Sequence, residues 1–344
     1  MSLPTSRGVP YPFPLTTSKQ EKIGNEANIS QNVTLTLPNV RGKIPFEPTS
    51  RLRSMWLEAH GDPSKILAQP CAFDGLSSRM IEQAGFQMIF ISGYAVASTH
   101  GIPDTGYIAM QEMCDKIQEC VRQVSIPVMA DGDTGYGSPL NVRRTVQSFS
   151  HAGAAGIMIE DQTWPKSMNR QLVEGCGHTS GKSVVSREEA FARIKAVCDA
   201  RNEGRDIFIL GRTDALILGW EEAMYRAQRF KELGVDAVFV EALPDKEAMK
   251  KCLKSVDIPM MANLIEGGLT ENIPAQELAL IGFSAVCYPC TLVAAKLKAI
   301  HEALENLKAS MTIGAPPMIL PADEVHKAVG FEEYWELEKR YAYD

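Results

Sequence analysis

An eight-stranded parallel β/α barrel is the fold class that this sequence predicts, and three observations carry it. Eight short apolar runs, near residues 66, 87, 126, 155, 207, 237, 259 and 284, alternate with segments of helical period. Most of these runs lead directly into a polar residue, namely Asp74, Ser92, Asp131, Glu160, Arg212, Glu241 or Asn263. A strand covered on both faces has little structural reason to end in a charge, whereas barrel enzymes place their chemistry at the C-terminal ends of their strands. The chain has 344 residues, enough for the roughly 250 of one closed barrel plus extensions.

Residues 1–48 are rich in Pro, Ser, Thr and Asn and show no sustained period, which predicts an extended or poorly ordered arm. The folded body is expected to begin near Pro48, with a lead-in helix over 51–60. The first strand covers 66–73 and meets Asp74, followed by a helix over 75–84, a strand over 87–92 and a helix over 110–124 whose apolar positions recur every three to four residues. The third strand, 126–130, delivers Asp131 and Asp133, spaced so that both side chains share one face. Gly132, Gly135 and Gly137 then let the backbone turn and a ligand approach before an amphipathic run over 139–152. Paired carboxylates in this setting are hard oxygen ligands suited to Mg²⁺.

The fourth strand, 155–159, ends in Glu160-Asp161. Ser186 with Glu189 three residues on reads as a capping box opening a helix to residue 200. Strand 207–210 leads to Gly211-Arg212-Thr213-Asp214, then come helix 220–233, strand 237–240 with Glu241, helix 245–255, strand 259–262 with Asn263, helix 275–281 and strand 284–288. An amphipathic helix over 292–310 completes a barrel domain over 49–310. The remaining 311–344 form a helical extension whose aromatics, over 331–341, need cover from a neighbouring subunit or from their own barrel.

A net charge of -7 and a pI near 5.5 leave no basic footprint for nucleic acid. No apolar run approaches the ~18 residues of a membrane span. The eight cysteines are scattered through apolar or helical contexts, which predicts a reducing, cytoplasmic setting; the acid-free first twenty residues also suit import into an organelle. Cys287 and Cys290 have CxxC spacing with no second pair to complete a zinc site, and read as core cysteines.

The loop over 162–185 is long for a compact domain and carries Cys176-Gly177-His178 with Gly181 and Lys182. Loops of that length are usually functional lids or disordered. A cysteine beside a histidine over an acid-bearing rim can work as an acid or base.

Together, Ser92-Gly93-Tyr94, Pro103-Asp104, Asp131-Gly132-Asp133-Thr134-Gly135, Ile159-Glu160-Asp161-Gln162, Cys176-Gly177-His178, Gly211 to Asp214, Glu241-Ala242 and Ala262 to Gly267 resemble the isocitrate lyase and phosphoenolpyruvate mutase superfamily. Within it the similarity is to the methylisocitrate lyase, dimethylmalate lyase and petal death protein branch. The resemblance implies a barrel whose last helix is exchanged between subunits of a homotetramer. It also implies Mg²⁺-dependent cleavage, with Mn²⁺ as a substitute, of a carbon–carbon bond in a 2-hydroxy di- or tricarboxylate. By the same resemblance, Asp131 and Asp133 hold the metal with Glu160 behind them, and Ser92, Gly93 and Tyr94 bind the substrate's α-carboxylate and oxygen. Asp104 is a further site acid, Arg212 grips a carboxylate bidentately, and Glu241, Asn263 and Glu266 fill the remaining polar positions. Cys176 protonates the enolate carbon, while Gly177, His178 and a lysine belong to the gate.

The chain departs from that family in its gate. The family places Lys and then Lys or Arg directly before Cys-Gly-His, but here Lys166 stands ten positions ahead of Cys176. Eight residues are therefore inserted, and three outcomes stay open: Lys166 reaches the site, Arg170 replaces it, or the gate closes badly and leaves a barrel that only binds dicarboxylates. Substrate hints also diverge. Tyr288-Pro289 resembles methylisocitrate lyases and disfavours oxaloacetate hydrolysis, while Trp164-Pro165-Lys166 resembles the petal death protein branch, which accepts 2-alkylmalates.

Overall fold

The computed structural model describes residues 37–164, 166, 182–315 and 318–342. Residues 1–36 of the expected arm, and with them the import reading, lie outside the described residues.

The eight strands are β1 Leu67–Ala72, β2 Ile89–Ile91, β3 Val128–Asp131, β4 Gly156–Glu160, β5 Phe208–Thr213, β6 Ala237–Val240, β7 Met261–Asn263 and β8 Ala285–Tyr288. All adjacent pairs are parallel, in the order β6-β5-β4-β3-β2-β1-β8-β7. The two ends meet through the parallel bridge of Val238 with Met260, closing the sheet. The helices are α1 Glu47–Gly61, α2 Gly75–Gln83, α3 Gly93–Thr99, α4 Met110–Val121, α5 Pro139–Ala152, α6 Arg187–Glu203, α7 Trp220–Leu233, α8 Lys246–Ser255, α9 Ala275–Ile281, α10 Thr291–Ser310, α11 Ala322–Val329 and α12 Phe331–Tyr341. The predicted β/α barrel is the observed fold.

Alternation along the strands sorts the core into two layers. Leu67, Cys71, Phe90, Met129, Met158, Phe208, Leu210, Phe239, Met261 and Cys287 pack together with Leu52 and Trp56 of α1, filling the barrel from below. The intervening Ile89, Ile91, Val128, Ala130, Ile157, Ile159, Ile209, Val238, Val240 and Val286 pack against the helices. Continuing the inward series by two residues gives Asp131 after Met129, Glu160 after Met158, Arg212 after Leu210, Glu241 after Phe239 and Asn263 after Met261. The strand period therefore carries these five polar side chains to one end of the barrel.

The opposite end is sealed by charge as well as by Trp56. Arg53 Nε lies 2.7 Å from Asp236 Oδ1 and Nη1 2.8 Å from Asp206 Oδ2, all three residues being buried. Arg41 reaches Asp236 at 3.0 Å, and Ile44 forms a bridge with Arg205. Residues 37–46 are thus packed on the body, which takes in chain that the sequence assigns to the arm. Pro48 still opens α1, in the first turn where its missing N–H costs nothing.

Most helices follow their predicted spans. Ser186 caps α6 by accepting from Glu189 N, but the Glu189 carboxylate turns to Arg193 at 3.0 Å, so only half of the box forms. The short helix α3 is absent from the sequence reading. Cys287 is buried with its Sγ 3.4 Å from Cys71 Sγ, as a core thiol, while Cys290 is partly exposed. No helix among the described residues is long and apolar enough to cross a membrane.

Beyond Val293, which still packs with Phe73 and Ala95, no described residue is buried. Leu297, Ile300, Leu304 and Leu307 make a stripe along α10, and α11 and α12 bury no residue at all. The latter two pack on each other through His326, Phe331 and Trp335, and meet the body where Arg79 pairs with Glu333 at 3.1 Å.

Candidate active site

At the C-terminal rim the backbone comes first. After β3, Gly132 N donates to Met158 O at 2.8 Å and Glu160 N to Asp133 O at 2.9 Å, which pins the turn across the end of β4. A Cβ at Gly132 would fall 2.7 Å from Ile159 Cδ1 and 2.8 Å from Met158 O, so glycine is needed for the approach. Asp131 Oδ1 accepts from Asp133 N at 3.0 Å and Oδ2 from Gly93 N at 3.1 Å. A Cβ at Gly93 would lie 3.0 Å from that same Oδ2. The Ser92-Gly93 pair is thereby held against the first metal-ligand candidate, with Ser92 buried as the N-cap of α3 and Tyr94 half-buried beside it.

Asp131, Asp133, Glu160 and Glu241 are all buried. Into them reaches Lys166, whose Nζ lies 2.6 Å from Asp133 Oδ1, 3.2 Å from Asp104 Oδ1 and 3.7 Å from Glu160 Oε1. Lys166 thus meets the strand-end acids, as the first of the three outcomes for the lengthened gate requires; the other two turn on residues outside the described ones. Trp164 explains the placement. Its ring lies edge-on to Tyr136 at 5.9 Å, and a Cβ at Gly106 would strike it at 2.8 Å. The chain is wedged there, two residues before the lysine. Cys176, Gly177 and His178, the inserted residues and Arg170 lie outside the described residues.

Arg212 forms the other half of the site. Its Nε and Nη2 grip Asp214 at 2.8 and 3.1 Å, Nη1 lies 3.2 Å from Glu160 Oε2, and Nη2 lies 2.9 Å from Glu241 Oε2. The expected bidentate grip on a substrate carboxylate is therefore occupied by Asp214. Asp214 has no role in the sequence pattern beyond its place in the Gly211 to Asp214 run, though a carboxylate two residues after a strand-end arginine was the available signal. Lys182 also pairs with Asp214, and Gln162 Nε2 donates to it at 3.2 Å. Behind it, Asp161 accepts from Thr213 Oγ1 at 2.7 Å, Asp214 N at 2.9 Å and Arg226 Nη1 at 3.0 Å.

Electrostatics splits the cluster in two. Burial raises Asp214, but Arg212 and Lys182 outweigh it and hold that carboxyl well below its usual range. Burial pushes Asp133 up to about 8, with Lys166 opposing and Asp131, Asp104 and Glu160 adding to the rise. Glu160 is raised by burial in the same way. Lys166 loses by burial and gains more from Asp133, Glu160 and Asp104, so it stays an ammonium. Among the described residues carboxylates outnumber cations on this rim, and the excess sits at Asp131, Asp133 and Glu160.

Two predicted residues stand apart. Asn263 closes β7 with its Oδ1 buried and without a hydrogen-bond partner among the described residues. Glu266 is exposed and accepts from Thr291 Oγ1 at 2.6 Å, tied to the start of α10 and not to the acids. Among the described residues no three His, Cys, Asp or Glu side chains converge closely enough to enclose a metal by themselves.

The profile of the phosphoenolpyruvate phosphomutase family matches residues 57–308. The chain is 34% identical to 2,3-dimethylmalate lyase of Eubacterium barkeri over 281 residues, covering 81% of this chain and 94% of that protein. It is 36% identical to probable 2-methylisocitrate lyase 2 of Corynebacterium glutamicum over 261 residues, covering 76% and 81%. A solved structure of oxaloacetate acetylhydrolase with the inhibitor 3,3-difluorooxalacetate superposes with a TM-score of 0.76 at 30% identity, covering 86% of this chain and 98% of that one. With the closed barrel, the strand-end acids and a family match running through both, the chain belongs to the phosphoenolpyruvate mutase/isocitrate lyase superfamily.

Proposed function

We propose that the protein is a Mg²⁺-dependent carbon–carbon lyase that cleaves a 2-alkylmalate or methylisocitrate type of acid to a 2-oxo acid and a carboxylate. The observation that carries this reading is the reach of Lys166 into the strand-end acids despite the lengthened gate. The donor set fits a divalent cation: buried hard oxygens with excess negative charge, too few to enclose the ion alone, which suits a metal that keeps waters and takes substrate oxygens. Asp131 and Asp133 would hold Mg²⁺ or Mn²⁺, with Glu160 behind them, and the ion when bound supplies Lewis-acid polarisation.

The chain's own groups do the rest. The Gly93 backbone and Ser92 fix the edge against which a 2-hydroxy carboxylate lies. Lys166 brings a positive charge to the side where an enolate develops, and Arg212, oriented by Asp214, adds a second from β5. Cys176 gives the proton that quenches the enolate carbon. The substrate here follows the relatives named as lyases; oxaloacetate hydrolysis is the alternative favoured by the superposition with oxaloacetate acetylhydrolase, and Pro289 stands against it.

A Mg²⁺-dependent assay against 2-methylisocitrate, 2,3-dimethylmalate, isocitrate and oxaloacetate, with 2-oxo acid and oxalate followed separately, tests the reading. Turnover of one of the first two, lost in Cys176→Ser, is expected. Oxalate release would move the assignment to a hydrolase. A folded, Mg²⁺-binding protein inert toward all four would leave only a dicarboxylate-binding barrel.

We also infer that the chain assembles as a homotetramer through α10 to α12, whose apolar stripes a second copy would cover. Sedimentation should show a species of four chains. Leu304→Asp with Trp335→Asp should shift it to smaller species, each charge costing on the order of 2 kcal/mol at a buried interface position; an unchanged profile would place the interface elsewhere.

A further inference from the structure

Tyr136 stands in the turn between β3 and α5, three residues after Asp133, and the proposed reaction leaves it without a part. Both residues lie in the left-handed region, with φ of +49° at Asp133 and +60° at Tyr136. Side chains other than glycine seldom settle there, and where they do the surroundings hold them. The ring is held by Phe149 at 6.4 Å and by Trp164 at 5.9 Å. The path into the turn is fixed too, since a Cβ at Gly135 would fall 2.4 Å from Val142 Cγ2.

The hydroxyl of this fixed ring is buried and has no hydrogen-bond partner among the described residues. Buried tyrosines normally place that group on a partner, because leaving it unpaired is costly. Phenylalanine would fill the same space without the penalty. Burial raises the phenol well above its usual value, Asp133 and Asp131 add to the rise, and Lys166 opposes them. The group is therefore a lasting O–H donor, set among the charges of the acid cluster.

We propose that the Tyr136 hydroxyl is a substrate-binding group, donating a hydrogen bond to a carboxylate oxygen of the acid that binds over Asp131 and Asp133. The inference rests on the lyase reading for the class of ligand, but not on turnover. Trp164 walls the outer side of the ring, between Tyr136 and Gly106.

Tyr136→Phe tests it by calorimetry with two probes: Mg²⁺ alone, and the uncleavable dicarboxylate 2,3-dimethylsuccinate at saturating Mg²⁺. The dicarboxylate is expected to bind roughly five- to tenfold more weakly, the scale of one hydrogen bond. Mg²⁺ affinity should not change, and the thermal midpoint should hold or rise because no protein partner is lost. Equal dicarboxylate binding by variant and wild type overturns the proposal. So does an equal loss of Mg²⁺ affinity, which would assign the hydroxyl to the metal's water, or a lowered midpoint, which would reveal a structural partner. Wild-type protein that binds Mg²⁺ but no dicarboxylate sinks the lyase reading itself, and this proposal with it.

Discussion

Replacing Arg212 with methionine should destabilise the protein by about 3–5 kcal/mol, the usual cost of removing one member of a buried ionic network. The guanidinium faces Asp214, Glu160 and Glu241 within 2.8–3.2 Å, and all three acids are buried. Methionine fills similar volume but leaves those carboxylates to protonate or to draw in water. Lys182 still neutralises Asp214 in part, whereas Glu160 and Glu241 lose their nearest cation from β5. The thermal midpoint should fall by roughly 6–20 °C, taking about 2–4 °C per kcal/mol for a large domain. Arg212→Lys should recover only part, because a point charge cannot replace a planar fork held on two oxygens of Asp214. Adding Asp214→Asn to Arg212→Met should cost less than the sum of the two single changes, as expected for side chains in one network. A midpoint equal to wild type in Arg212→Met would mean that the network holds nothing in place.

The barrel was legible because buried parallel strands are short, apolar and regularly spaced, and the rim was legible because their inward period ends in charge. Asp131, Glu160, Arg212, Glu241 and Asn263 could be read from position alone. What defeated the sequence was structure held by tertiary pairing. Residues 37–46 have no period of their own and are fixed by Arg41 on Asp236 and the bridge at Ile44. Helix α3, over Gly93-Tyr94-Ala95-Val96-Ala97-Ser98-Thr99, is too short and too small-sided to show a face, and only the Ser92 cap announced it. Asp214 looked like a rim acid, and the period of two that sets it beside Arg212 does not say that the pair bonds to itself and not to a ligand. Glu266 looked equally like a site acid, yet the loop after β7 carries it out to Thr291. For α12, amphipathic reasoning could not choose between its own barrel and a neighbour, since a stripe does not say what covers it; on the single chain the helix buries no residue.

Lys166→Met should tighten Mg²⁺ binding at least tenfold while abolishing turnover. The ammonium lies 2.6 Å from Asp133 Oδ1 and within 3.7 Å of Glu160 Oε1, the same oxygens assigned to the cation. Two unit charges 4 Å apart interact by about 4 kcal/mol at an effective dielectric constant near 20, and a dication doubles the repulsion. Movement of the lysine and entry of water remove most of it, but even 1.4 kcal/mol left over is a factor of ten. Without metal the same substitution should destabilise the fold, because Asp104, Asp133 and Glu160 then face one another with no cation between them. Added Mg²⁺ should restore the midpoint more in the variant than in wild type, as linkage requires of the tighter binder. Turnover falls for a different reason, since the positive charge that meets the developing enolate is gone. Calorimetry with Mg²⁺ and the 2-oxo acid assay separate the two effects. Mg²⁺ affinity that is unchanged or weaker in Lys166→Met would show that the lysine and the metal do not share these acids, and the metal would then have to be sought away from Asp133.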